Sequence, residues 1–414
     1  MAKESDKFAY YPLFRSGLPP PARRFAGLLP YNFSGGHNDA EQIPIDALIE
    51  ASVAVLKRHG SRLAIYNLGH GPLGYEGLRD VVATKLAKRR GIACSRDDIL
   101  ITAGSTQGLN LLNQIFLQPG DTVVFEEFSY ANAIRDMRQL GVTIVSAPLD
   151  SGGLEIDALD SILGNLRDRR VHPKYIYTIP TIQNPTGTIL SLDRRHKLLS
   201  LAEKFQTVVI EDECYSNLVW ADDVPPSLYG LNPKHVIHVG SLSKSLAPAL
   251  RLGFIVADWQ VLSQAIACKT DGGTGALEQM VAAEYFFDSF DSHIAGQTRA
   301  LESKLGSLVE ALQREFGTSI EFHPPEGGTF IWAKLPPPID VRKLIQPAAN
   351  AGIAFNPGPE WSCGDDPATS HLRLCFALPT AEQIQKGIAE LARICFDLFG
   401  IPERGTNASR RIDS

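Results

Sequence analysis

Ser241-Leu242-Ser243-Lys244-Ser245-Leu246-Ala247-Pro248-Ala249-Leu250-Arg251-Leu252-Gly253 sets one lysine among small hydroxyl residues, with an arginine following downstream. That company suits a cofactor phosphate. Just upstream, Val236-Ile237-His238-Val239 reads as a short buried strand, so Lys244 falls just past a strand end, where α/β sheets expose their chemistry. A lysine becomes a covalent catalyst when its amine condenses with a carbonyl, which needs a lowered amine pKa or a preformed imine. Taken alone, a solvated loop lysine is the plainer account, and the surrounding chain has to decide.

Working outward toward the N-terminus, strand and helix patterns alternate. Strands are predicted at Ile99 to Ala103, Thr122 to Phe125, Val142 to Ala147, Tyr175 to Ile179 and Val208 to Ile210. Helical periodicity intervenes after Gly104, from Ala131, from Ile156 and from Leu192. Such alternation implies βαβ units, hence a mostly parallel sheet with helices on both faces. Polar residues collect just past these strands: Gly104-Ser105-Thr106-Gln107-Gly108, Glu126-Glu127-Phe128-Ser129-Tyr130, Gln183-Asn184-Pro185-Thr186-Gly187 and Glu211-Asp212-Glu213-Cys214-Tyr215. The carboxyl ends of parallel strands converge on one crevice. The hydroxyl turn at Ser105 has the form of an anion site at a helix start, although serine and threonine also cap helices that bind nothing.

Nearer the N-terminus, residues 1 to about 30 are rich in proline and aromatics and read as an extended arm. A helix is expected from Pro44 to His59, then a glycine-rich loop, Tyr66 to Gly77, in which His70 reads as solvated. Beyond Lys244, helical patterns occupy about 259 to 269, 275 to 288 and 291 to 316, the last with a buried leucine stripe. From Ser319 onward, short strands and two helices suggest a second, α+β layer.

Composition bounds the rest. With 414 residues the chain exceeds what one core usually fills, so two domains are expected. Hydrophobic residues make up 44% and charged residues 21%, as in an ordinary globular enzyme, and the net charge of -6 is spread without a basic stripe. Neither nucleic acid nor a membrane is an expected partner. Six cysteines without paired spacing or histidine clusters point to reduced thiols, no metal site and a cytoplasmic location.

Together the strand-end residues match the needs of pyridoxal 5′-phosphate. Asp212 is the candidate for keeping the pyridine nitrogen protonated, and Tyr130 for stacking on the ring. Asn184 and Tyr215 are placed to donate to the phenolate oxygen. Ser105, Thr106, Ser241, Ser243 and Arg251 suit the phosphate, and Lys244 forms the Schiff base. Each residue has an ordinary structural use; the ordered set is what carries the argument.

From about residue 30 to 398, the chain resembles the class I/II aminotransferases of fold type I, on Asn184-Pro185-Thr186-Gly187, on Asp212 with Tyr215, and on Ser241-x-Ser243-Lys244-x-x-x-Pro248-x-x-Arg251-x-Gly253. Within them it is most similar to the aminoadipate and aromatic aminotransferase branch, which includes relatives of a domain fused to some transcription regulators. The resemblance implies an N-terminal arm with part of a small domain (1–58), a large cofactor domain (59–295) and a C-terminal small domain (296–414). It also implies that Arg373 clamps the substrate α-carboxylate with help from Asn184, and that Gly36 lies over the substrate. Tyr66 would reach the phosphate in a neighbouring subunit, giving a homodimer with shared sites. The implied reaction moves an amino group between an L-amino acid and a 2-oxo acid through a Lys244 Schiff base, with Lys244 as the base and acid for the Cα proton and Asp212 and Tyr215 assisting. The alternatives are another reaction on the same cofactor, namely β- or γ-replacement, decarboxylation or condensation, or a non-catalytic effector domain. Cys214 stands where many relatives carry proline, and reads as a small filler. The side-chain pocket offers Tyr10, Tyr11, His37 and the Gly358 to Gly364 loop with Trp361.

Overall fold

The computed structural model describes residues 8–22 and 24–402. Residues 8–22 and 24–30 are almost entirely exposed and irregular apart from a short turn at Tyr11–Leu13, and Pro19-Pro20-Pro21 cannot supply the N–H groups that a regular element would need. Strand β1 (Tyr31–Asn32) precedes helix α1 (Ile45–His59), and α2 (Glu76–Val81) runs on into a π-helical turn at Val82–Ala87. Then come β2 (Ile99–Thr102), α3 (Ser105–Phe116), β3 (Thr122–Glu126), α4 (Ala131–Leu140) and β4 (Thr143–Ala147). A small hairpin of β5 (Leu149–Asp150) and β6 (Gly153–Leu154) leads to α5 (Ile156–Asp168), β7 (Tyr175–Thr178), α6 (Leu192–Phe205) and β8 (Val208–Asp212). The run closes with α7 (Leu228–Leu231), β9 (Val236–Ser241), β10 (Gly253–Val256) and α8 (Trp259–Cys268).

Seven of these strands form one sheet in the order β2-β10-β9-β8-β7-β3-β4. All neighbours from β9 to β4 pair in parallel, whereas β10 is antiparallel to both β2 and β9. Both faces are covered, and the period of two sorts the residues between them. Ile101, Val124, Ile176, Val209 and Val256 enter one core, and Leu100, Phe125, Tyr177, Ile210 and Ile255 enter the other. Each such aliphatic side chain withdrawn from water contributes about 1.5–3 kcal/mol.

Helix α9 (Ala276–Phe316) is one continuous helix of 41 residues, not the two expected. The helix runs unbroken through the polar stretch Asp288-Ser289-Phe290-Asp291-Ser292-His293, because Phe290 within it and Ile294 just after it are buried. Its first half (Ala282, Phe286, Phe290, Ile294) packs into the core of the large sheet, and its second (Leu301, Leu305, Leu308, Leu312, Phe316) into a separate core. That second core belongs to an antiparallel sheet built from β11 (Glu321–Phe322) and β12 (Phe330–Lys334), then β14 (Asn356–Pro357) and β15 (His371–Cys375), which follow α10 (Ile345–Asn350) and β13 (Ile353–Ala354). Its strand order is β11-β12-β15-β14. Helix α11 (Ala381–Phe399) covers it, started by a reciprocal cap in which Thr380 and Gln383 each accept the other's backbone N–H.

The N-terminal stretch divides differently from the expected 1–58 unit. β1 pairs with β13, and Phe33 joins the small core. Helix α1 instead packs Ala51 and Val55 on Leu68, Met280 and Val281, beside the first half of α9, where Arg58 also pairs with Glu284 at 2.9 Å. Among the described residues no helix is long and apolar enough to cross a membrane.

Candidate active site

The strand ends open onto one cavity of about 340 Å³. Ser105, Thr106, Tyr130, Asn184, Asp212, Tyr215, Ser241, Ser243, Lys244 and Arg251 all line it, and so do Gly36 and Arg373. Tyr66 does not: it is 85% exposed and borders a separate surface hollow with Asn67, Pro72 and the 269–273 loop.

Lys244 reaches the Gly36 carbonyl with its Nζ and is fixed at its backbone, where its carbonyl accepts from Gln297 Nε2 at 2.9 Å and from Asn38 Nδ2 at 3.3 Å. Burial lowers its amine pKa, because the enclosed charged form loses hydration. A Cβ at Gly36 would stand 2.5 Å from Nζ, so any larger residue there would push the lysine amine aside. Tyr215 is buried close by, with Nζ 6.0 Å from its ring centre.

At one end of the cavity α3 begins directly after Gly104, whose φ of 78° favours glycine. A Cβ there would collide with the Arg251 guanidinium. Arg251 itself adopts a left-handed φ of 51°, and its Nη2 donates to the Ala103 carbonyl at 3.3 Å, tying it to the end of β2. Ser243 N donates to Ser241 Oγ at 3.1 Å, folding the loop around the same end.

Asp212 is buried at the end of β8. Its Oδ2 accepts from the Tyr177 hydroxyl at 2.8 Å and its Oδ1 from Cys214 N at 3.3 Å. Desolvation raises its pKa, opposed by the hydrogen bonds from Cys214 and Tyr177. Cys214 lines the cavity with Sγ 3.2 Å from Ser105 Oγ; burial pushes its thiol well above the usual range, so it is an un-ionised wall residue. Asn184 is buried with no partner for Oδ1. Its loop is braced by Gln183, whose Nε2 donates to Glu126 Oε2 at 3.0 Å and to the Phe128 carbonyl at 2.7 Å.

Arg373 projects from β15 at the opposite end. Its guanidinium carbon lies 4.4 Å from the ring centres of both Phe330 and Trp361, a cation between two aromatic faces. Nη1 donates to Asn356 Oδ1 at 3.2 Å and Nη2 to the Gly35 carbonyl at 3.3 Å, while Nε is buried without a partner. A buried guanidinium held this way is ready for a carboxylate.

The sequence model for "Aminotransferase class I and II" matches residues 32–391. The chain belongs to this family. It is 31% identical to aromatic-amino-acid aminotransferase 1 of Thermococcus litoralis, over 87% of each chain. The α-aminoadipate aminotransferase of Thermus thermophilus, solved with N-(5′-phosphopyridoxyl)-L-leucine, superposes with a TM-score of 0.81 at 31% identity, over 89% of this chain and 93% of that one. The Pyrococcus horikoshii kynurenine aminotransferase gives 0.83 at 30% identity, over 90% and 92%. The protein is thus a transferase that works with pyridoxal phosphate.

The cavity of this aminotransferase fits that group on its own evidence. The Asn184 side chain, a hydroxyl-lined helix start whose Gly104 has no room for a Cβ beside the Arg251 guanidinium, and a buried acid all line the space beside Lys244. The sequence does not single out Asn132, Ile179 or Asn356, which also line the cavity and belong to no motif, whereas Glu360, also there, lies in the Gly358 to Gly364 loop expected at the pocket. Asn356 had a faint signal, its place just before Gly358 to Gly364, whose Trp361 does line the site. Tyr10, Tyr11 and His37 do not. His70 is not solvated: its side chain is 8% exposed, with Nδ1 3.2 Å from Glu76 and Nε2 2.7 Å from Arg62.

Proposed function

We propose that this aminotransferase moves the amino group of an L-amino acid with an uncharged apolar or aromatic side chain to a 2-oxo acid, with Lys244 as the covalent residue and proton carrier. The observation that carries this reading is the placement of the enclosed Lys244 amine and the Arg373 guanidinium in one cavity. When bound, pyridoxal phosphate supplies an aldehyde carbon for the amine and a protonated ring that withdraws electrons. Ser105, Thr106, Ser241, Ser243 and Arg251 would hold its phosphate, Asp212 its ring nitrogen, Asn184 and Tyr215 its phenolate oxygen, and Tyr130 its ring face. Arg373 and Asn184 orient the substrate by its α-carboxylate. The lowered pKa of Lys244 favours the neutral amine that can take the proton from the substrate Cα. The Gly36 carbonyl accepts from that amine and keeps it in place.

The side-chain preference rests on the remaining walls. Ile179 and Trp361 are apolar or aromatic, and every Lys or Arg along the described cavity already has a task. Glu360, which also lines the cavity, repels a second carboxylate when ionised, an effect that the desolvation raising its pKa opposes. The test is a panel of amino acids offered to the holoenzyme, scored by pyridoxamine phosphate and 2-oxo acid. Aromatic and large aliphatic donors should turn over best. Preference for dicarboxylic donors would overturn the side-chain assignment, and absence of pyridoxamine phosphate with every donor would overturn transamination.

The reading extends to assembly, location and domains. Ile45, Ile49, Val53 and Leu56 on α1, with Ile65 and Tyr66 beyond it, expose apolar surface that a second copy would cover, which supports a homodimer with shared sites. Six free cysteines suit the cytoplasm. The change of core along α9 supports a boundary near residue 295, with the small domain taking in Tyr31 to Phe33.

A further inference from the structure

Asp212 is the acid lining the cavity, and a buried phenol lies behind it. Tyr177 comes from the neighbouring strand β7, one residue before the end, and is 1% exposed. Its ring stacks on Phe125 of β3 with centres 4.7 Å apart and planes at 27°, so the phenol has little freedom. Its hydroxyl donates to Asp212 Oδ2 at 2.8 Å, while Cys214 N takes Oδ1. Other ionisable groups felt around the acid are His238 from β9, Glu126 from β3, and Cys214 and Tyr130 at the cavity wall. His238 is already committed to Glu211 at 3.0 Å, and Glu126 to Thr178 at 2.6 Å. Tyr177 is therefore the side chain outside the cavity that grips Asp212 directly.

We propose that Tyr177 is a positioning residue for the reaction: its hydroxyl fixes the Asp212 carboxylate, ionised and aimed into the cavity, as the partner of the cofactor's ring nitrogen. The inference rests on the reading of Asp212 given above. Burial and the adjacent carboxylate hold the Tyr177 phenol neutral far above physiological pH, so it serves as a donor throughout the working range. A hydrogen bond to a buried carboxylate favours its charged form, offsetting the desolvation that would otherwise protonate it. Inert core packing would need the ring alone.

Tyr177→Phe keeps the ring and removes the hydroxyl, so the fold is retained. The holoenzyme is titrated by its visible absorbance, and cofactor affinity is measured separately by equilibrium dialysis. A protonated ring nitrogen repels the proton on the Lys244 linkage, so weakening the grip on Asp212 raises the pH at which that proton is lost. The expected rise is about one pH unit, with cofactor binding weakened by about tenfold, the worth of one hydrogen bond to a charged acceptor. Asp212→Asn should move the midpoint further in the same direction, and Tyr175→Phe, which removes a buried hydroxyl from the same strand that donates to Asn113 instead, should leave it in place. An unchanged midpoint in Tyr177→Phe, or an equal rise in Tyr175→Phe, overturns the role of Tyr177. An unchanged midpoint in Asp212→Asn overturns the reading of Asp212 beneath it.

Discussion

Asp212 and Glu213 are consecutive acids at the end of one strand, both buried, and they live in opposite electrostatic worlds. Asp212 opens to the cavity, held by a phenol and a backbone N–H, and burial raises its pKa. Glu213 faces away and is gripped by Arg90 Nε at 2.7 Å and Thr181 Oγ1 at 2.6 Å, with Arg195 at 3.6 Å. Those guanidinium groups overcome desolvation and hold its carboxyl below the usual carboxylate range. Glu211, on the same side, accepts from Tyr229 N and from His238. Although Glu211, Glu213 and His238 bring ligand atoms within 4.8 Å of one another, each is already engaged. An acid is available for chemistry where its partners are neutral donors and it borders open space; an acid neutralised by arginine is framework.

The strongest way to break that contrast is a pair of substitutions. Asp212→Ala should cut kcat by roughly a thousandfold, the order of one lost electrostatic stabiliser at a reacting centre, while the denaturant midpoint changes little. Glu213→Gln should do the reverse, costing about 3–5 kcal/mol of stability by stranding two buried guanidinium groups, with kcat of the surviving protein within a few-fold of normal. Urea titrations and steady-state rates on both variants decide it; matching profiles would erase the distinction.

Arg373 sharpens the comparison, being a buried cation without an acid. Arg373→Leu should raise KM by about a hundredfold, since two charge-assisted hydrogen bonds to the substrate are lost. Trp361→Leu, which removes one of its two aromatic faces, should raise KM by about tenfold with kcat largely kept. Initial-rate measurements over substrate concentration check both.

A smaller effect concerns Glu126, whose carboxyl is pushed up to about 7 by burial, against hydrogen bonds from Thr178 and Gln183. The folded state thus binds a proton that the unfolded chain releases above about pH 4.5. Stability should fall as pH rises from there to about 7, by up to about 3 kcal/mol, and Glu126→Gln should flatten that decline in denaturation curves.

How far sequence carried the fold and the site follows from the same physics. Strand-end motifs were legible because Lys244, Asp212, Asn184 and Ser105 need fixed neighbours in the chain, and the sheet then gathers them. Tyr177 was not, since a tyrosine inside an apolar strand reads as core until register sets it beside Asp212. Asn356 comes from the small sheet, far from the strand ends in sequence. The unity of α9 was hidden because its polar middle covers Phe290 and Ile294, where the helix passes between two cores.

The central claim is that Lys244 carries the cofactor covalently. Reduction of the holoenzyme with borohydride followed by peptide mass mapping tests it most directly. The account predicts a pyridoxyl label on the Lys244 peptide and none in Lys244→Ala; a label on another lysine, or no label in cofactor-saturated protein, would contradict it.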